Sequence, residues 1–416
     1  MSGMVLRMFA AQRRPSFRVK SVVGAALICT AFHASCAPSD APNAASNANS
    51  SNPSSSNPSS SNPSSTSPRG ERPFRHVLLI SVDGLRPDAL EPPFLASLPS
   101  FARLLRGAHT LDARTDADIT VTLPNHTGML TGRPFDGPNG HGWKLNDDPP
   151  GRTQGGTLHA LKGAYISSVF DVAHDAGLST AMTVGKTKFW LFEQSYGSSN
   201  GALDTMPPDF GRAKIDFFTY ARETDGVARV VAERLRDAFA RRVGSLDFVH
   251  FAAPDAAGHA HEWILAPDSR YFAALLEVDA ALGAILTAID QTPSLAARTA
   301  IVLTTDHGGG APAKTHTDVL SPLNFRIPLI VWEGGDGEPS DLYAAFPDRA
   351  RPARDTRIAR DESPQPIRNA DAGNLALELL GLPPIPGSMR GLVAIPAAPS
   401  LTSAPASPDK SKAPAP

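Results

Sequence analysis

Cysteine is nearly absent from this 416-residue chain: only Cys29 and Cys36 occur, both close to the start. Everything after them can form no disulfide and offers no thiolate to a metal, so a metal there would need imidazole and carboxylate ligands. Neither sign of charge is in excess. Thirty-nine Lys and Arg stand against 41 Asp and Glu, a formal net charge of −2, a balance that does not suggest a nucleic-acid or anionic-membrane surface. Large apolar residues are missing from Ser39 to Ser67, where Ser, Asn, Pro and Ala dominate and Ser-Ser-Asn-Pro-Ser repeats. Such a segment cannot bury enough surface to offset its ordering entropy.

These absences divide the chain. Residues 1–36 read as a signal peptide. Arg7, Arg13, Arg14, Arg18 and Lys20 make a basic start, and the apolar stretch Ser21–Phe32 is too short for a spanning helix. Ala34-Ser35-Cys36 resembles the end of a lipoprotein signal, with His33 where an aliphatic residue is usual. Two outcomes stay open there, lipid attachment at Cys36 or plain cleavage near Ala37. Arg13-Arg14 and Phe17 lack twin-arginine spacing. Residues 37–69 read as a disordered linker, 70–395 as the folded body, and 396–416 as a disordered Ala/Pro/Ser tail. The expected location is the periplasm or cell envelope.

Within the body, apolar runs alternate with helical patterns. Strands are expected at 76–82, 179–184, 246–252, 300–305 and 327–332. Helices are expected at 97–106, 123–131, 168–176, 226–242, 269–290 and 372–380. This order predicts a three-layer α/β/α sandwich around a mostly parallel sheet.

Three aspartates stand just past apolar runs: Asp83 after Val77–Val82, Asp255 after Phe248–Pro254, and Asp306 after Ile301–Thr305. Sites in open α/β sheets form outside the carboxyl ends of strands. Asp255 and His259 are four apart, so one helical turn would put both on one face. Asp306 and His307 are adjacent and can share a metal only where the strand breaks, which Gly308-Gly309-Gly310 allows. Each feature alone has an ordinary reading, as a strand-end turn, a helix-face pair or a polar turn. Their recurrence at three strand ends points to transition-metal ions held by Asp and His, with a net positive cleft that suits a phosphate ester.

Four motifs in order carry a family resemblance. They are Ser81-Val82-Asp83-Gly84-Leu85-Arg86-Pro87-Asp88, Thr122-Leu123-Pro124-Asn125-His126, Pro254-Asp255-Ala256-Ala257-Gly258-His259 and Thr305-Asp306-His307-Gly308. Together they resemble the nucleotide pyrophosphatase/type I phosphodiesterase branch of the alkaline phosphatase superfamily, over about residues 74–390. The resemblance implies an alkaline-phosphatase-like fold, two Zn2+ ions and a small-molecule phosphoric ester substrate. Asp83, Asp306 and His307 would hold the zinc that activates the nucleophile Thr122. Asp255 and His259 would hold the other, with a late histidine, here His316, as its third ligand. Asn146, in His141-Gly142-Trp143-Lys144-Leu145-Asn146, would offer its amide to a phosphate oxygen. Leu123 stands where nucleotide-binding members often carry an aromatic.

The remaining candidates read as supporting residues. Asn125 and His126 would orient the nucleophile's helix, His261 would lie at the surface or behind the ligands, and His250 would be structural within its strand. Lys186, Lys188, Phe189 and Trp190 read as a packing cluster more than a substrate contact. The expected function is phosphodiester hydrolysis. A phosphomonoesterase, a phosphonate hydrolase or a non-catalytic lipoprotein with a decayed site are the alternatives. A sulfatase is disfavoured by the lack of a formylglycine-type motif.

Overall fold

The computed structural model describes residues 74–147, 156–198, 201–202, 212–335 and 337–389. The expected signal peptide, linker and tail lie outside the described residues.

Among the described residues, eight strands form one sheet: β1 (His76–Val82), β2 (Ala108–Arg114), β3 (Ser179–Val184), β4 (Phe217–Tyr220), β5 (Ser245–Phe251), β6 (Thr299–Thr304), β7 (Arg326–Trp332) and β8 (Ser340–Asp341). Their order is β4-β3-β5-β1-β6-β7-β2-β8. The first five of that order run parallel, while β7 is antiparallel to both β6 and β2. The expected mostly parallel sheet is therefore present.

Why β1 lies at the centre follows from its composition. All seven residues of His76–Val82 are buried, as a strand covered on both faces requires. Val77 and Leu79 face one apolar layer, with Met129, Phe170, Phe192 and Leu375. Leu78, Ile80 and Val82 face the other, with Phe101, Leu235, Leu275 and Ile285. Each such side chain contributes roughly 1.5–3 kcal/mol of burial. Helices Thr122–Thr131, Val169–Asp175 and Ala372–Leu379 supply the first layer. Pro99–Leu104, Thr224–Ala240 and Arg270–Asp290 supply the second. The last of these is long and apolar because Tyr271, Leu275, Val278, Leu282, Ile285 and Ile289 pack into that core.

Register places the site. Val82 of β1 pairs with Phe251 of β5, and Ser81 with Thr304 of β6. The carboxyl ends of these three neighbouring strands therefore finish level, and Asp83, the Ala253–His261 helix and Asp306 emerge at one rim.

Candidate metal centre

The three aspartates meet at that rim. Asp83 and Asp306 are fully buried and Asp255 is 3 % exposed. Asp83 Oδ1 lies 3.6 Å, and Asp306 Oδ2 3.1 Å, from His307 Nε2. Asp255 Oδ1 lies 3.4 Å from His259 Nε2 and 3.8 Å from His316 Nε2. The helix Ala253–His261 puts Asp255 and His259 on one face as the spacing predicts. β6 ends at Thr304, so Asp306 and His307 are free of strand alternation. The glycines after them make room for a wall: a Cβ on Gly309 would lie 2.1 Å from the Trp263 ring.

The imidazole tautomers are set by backbone carbonyls. His307 Nδ1 donates to Gly308 O (2.8 Å), His316 Nδ1 to Thr120 O (2.6 Å) and His259 Nδ1 to Lys314 O (2.8 Å). With hydrogen on Nδ1, each ring turns Nε2 toward carboxylate oxygen. Burial pushes His307 down, and burial with the neighbouring His307 pushes His316 down to about 3, so both are neutral at ordinary pH. Asp83 Oδ1, Asp255 Oδ1 and Asp306 Oδ2 have no hydrogen-bond partner although buried. Lone pairs facing lone pairs in a dry place repel, and a dication between them turns that repulsion into coordination. Among the described residues, two sets share suitable spacing, Asp83 with Asp306 and His307, and Asp255 with His307 and His316. The donor chemistry fits zinc or a similar ion.

Thr122 opens the Thr122–Thr131 helix, and its Oγ1 lies 3.4 Å from His307 Nε2. Asn146 Oδ1 accepts from the Leu123 backbone N–H (3.1 Å), which brings the amide beside Thr122. His126 donates through Nδ1 to Thr122 O and accepts at Nε2 from Ser81, both at 2.8 Å, tying that helix to β1. Asn125 bonds Asp116 N, Ile119 O and Val121 O. Both act on the helix, in line with the expectation. His261 is exposed.

One expectation is corrected, and another gains detail. His250 lies within β5 and ties that strand to the site. Its Nδ1 accepts from Gly185 N (3.3 Å), so Nε2 carries the hydrogen and donates to Asp83 Oδ2 (2.9 Å). Lys186 is not a packing residue: its ammonium donates to Asp83 Oδ2 (2.6 Å) and to Asp255 Oδ2 (2.5 Å). Phe189 does pack, buried against the rings of His250 and His126, and Trp190 sits edge-on to Phe218. Burial alone would push Lys186 down, but Asp255, Asp83 and Asp306 outweigh it and push it up, so it stays charged. Burial raises Asp83, yet Lys186, His250 and His307 together hold it well below the usual carboxylate range. Asp306, buried and beside Asp83, is pushed well above it, which marks the cluster as short of positive charge. Lys186 stands just past β3, as the aspartates stand past their strands, but Ser179–Val184 is half Ser and Thr and its local sequence does not set Lys186 apart from a surface turn.

Several solved structures resemble this one. Ps i-CgsB is 15 % identical over 74 % of this chain and 72 % of that one, with a TM-score of 0.47. A protein in the alkaline phosphatase superfamily from Vibrio parahaemolyticus is 14 % identical over 77 % and 69 %, with a TM-score of 0.47. The C-terminal periplasmic domain of EcEptC from Escherichia coli, in complex with Zn, is 17 % identical over 79 % and 88 %, with a TM-score of 0.45. The family model for type I phosphodiesterase/nucleotide pyrophosphatase matches residues 77–324, more than half the chain, a span that holds Asp83, Thr122, Asp255, Asp306 and His316. The chain belongs to the type I phosphodiesterase/nucleotide pyrophosphatase family, a family of phosphoric ester hydrolases.

Proposed function

We propose that this protein hydrolyses phosphodiesters at a two-zinc centre, with Thr122 as a covalent nucleophile. The observation that carries the reading is the set of three buried, partnerless carboxylate oxygens facing bare imidazole nitrogens. Asp83, Asp306, His307 and Thr122 would hold one ion, and Asp255, His259 and His316 the other. Bound there, the ions supply Lewis acidity that lowers the pKa of an attacking oxygen and offsets charge on phosphoryl oxygens. The chain's own residues do the rest. Thr122 offers its hydroxyl at a helix start, where the backbone favours an anion. Its Oγ1 attacks phosphorus, the leaving group departs with the electron pair of the P–O bond, and water then cleaves the phosphothreonine, restoring the hydroxyl. The Asn146 amide, whose Oδ1 accepts from the Leu123 N–H beside Thr122, would offer its NH2 to a phosphoryl oxygen. His126 and Asn125 hold the helix that aims Thr122.

A second reading has its own support. Two dications against three carboxylates leave one net positive charge. Lys186 adds another, and two positive charges match a dianionic phosphomonoester or phosphonate. Leu123 in place of an aromatic adds no stacking surface for a nucleotide base. The discriminating experiment assays the purified, zinc-loaded protein against diesters, monoesters, phosphonates and sulfate esters. Fastest turnover of a diester is expected. Fastest turnover of a monoester or phosphonate would favour the second reading, and sulfate ester turnover alone would overturn both.

Export belongs to the same proposal, supported by the basic-then-apolar start and the Ser/Asn/Pro tether. Full-length protein kept in the cytoplasm with residues 1–36 intact would defeat it. If Cys36 carries lipid, Cys36→Ser releases the protein from the membrane fraction.

A further inference from the structure

We propose that Lys186 is a resident cation of this centre, joining the two candidate half-sites through the carboxylate oxygens that face away from the imidazoles and holding Asp83 and Asp255 together when metal is absent. The inference rests on the metal-centre reading above. It starts from a division of labour within each carboxylate. Asp83 offers Oδ1 toward His307 and gives Oδ2 to Lys186 and His250. Asp255 offers Oδ1 toward His259 and His316 and gives Oδ2 to Lys186. One ammonium therefore bridges a carboxylate of each half-site without occupying the oxygens a metal would use. Asp83 and Asp255 are each restrained to turn Oδ1 toward the imidazoles.

The chain is built to deliver that ammonium. Gly185 follows β3, and a Cβ there would lie 2.9 Å from the Ala252 side chain. Its lack of a side chain lets the backbone pass close over the end of β5. Its N–H fixes the His250 tautomer, and the next residue is Lys186. Phe189 then anchors the segment in the core. Without Lys186, the buried carboxylates of Asp83 and Asp255 would face one another across the cleft with no ammonium between them. That arrangement is costly until metal supplies the charge.

The test compares the full chain with Lys186→Met, each stripped by chelator and then titrated with zinc. Thermal unfolding and zinc affinity, the latter by competition with a chromophoric chelator, are the readouts. The metal-free variant should melt several degrees below the metal-free wild type. Zinc should close that gap, so its stabilisation is larger in the variant. Apparent zinc affinity should rise by about tenfold or more, because no fixed ammonium opposes the incoming dications. A variant that folds only when zinc is present would support the proposal in its strongest form. Equal metal-free melting and equal zinc affinity would overturn it, and so would a variant that stays unfolded with zinc. A wild type that takes up no zinc would sink the metal centre itself, whatever the variant does.

Discussion

The imidazole of His316 lies flat against that of His307, ring centroids 3.5 Å apart and 12° from parallel. The loop that carries His316 therefore folds back over the end of β6. Two hydrogen bonds hold it there, from Thr120 Oγ1 to His316 O (2.5 Å) and from His316 Nδ1 to Thr120 O (2.6 Å). Thr120 is two residues before Thr122, so the same contact links the last candidate ligand to the candidate nucleophile.

His316→Ala should lose about one zinc per chain, because that half-site falls from three protein ligands to two. Turnover should fall more than about a hundredfold, beyond the effect usual for a residue that only supports a ligand. Metal analysis of the purified variant is the check. Unchanged zinc content and turnover would remove His316 from the centre and point to His261 instead.

Thr122→Ala should keep close to two zincs, since the three Asp and three His remain. Diester turnover should fall by roughly three orders of magnitude or more, because only positioning and electrostatics are left. Thr122→Ser should retain partial activity through the same oxygen. Acid-quenched wild type should carry phosphate on Thr122 if breakdown is the slower step. Near-normal activity in Thr122→Ala would mean that water attacks directly.

Gly309→Ala forces a methyl to within 2.1 Å of the Trp263 ring, which is also tight against Gly258. Trp263 donates to Gly84 O (3.2 Å) and lies 5.2 Å from the His259 ring, so it cannot yield without disturbing the site. A loss of about 1–3 kcal/mol is expected from overpacking, together with weaker zinc binding. Urea unfolding and zinc titration test both. Wild-type stability would mean that the Trp263 wall is loosely held.

Acid should destabilise the fold through His76. Burial lowers its pKa from 6.5 to about 4, with Asp247 opposing and Arg75 adding to the fall. The folded value lies below the unfolded one. Between pH 6.5 and about 4 the unfolded chain therefore binds a proton that the folded chain refuses. Stability falls as pH drops through that window, by roughly 1.4 kcal/mol per unit at most, and this contribution levels off below it. His76→Gln should flatten the slope by up to that amount in unfolding curves of metal-free protein. An unaltered slope would mean that His76 titrates normally.

Much of this was legible locally. Val77–Val82, Phe248–Phe251 and Ile301–Thr304 are apolar runs that only a doubly covered parallel strand accommodates, so period and composition sufficed to place β1, β5 and β6 and the aspartates at their ends. Helical spacing sufficed for Asp255 and His259. β2 was not legible. Ala108–Arg114 reads as polar because its Asp112 and Arg114 are buried through long-range partners, Arg326 for the one and carbonyls of Ala353 and Thr356 for the other. No window along the chain contains those partners. The same holds for His250 and Lys186, whose local sequence suits a strand interior and a surface turn. Their meaning comes from strand order. β3, β5, β1 and β6 lie side by side, and their level ends bring Lys186, Asp255, Asp83 and Asp306 within reach of one another. Pattern along the chain determined the elements and the ligand types. Adjacency in the sheet decided which oxygen of each carboxylate is free, because that depends on which distant donor fills the other.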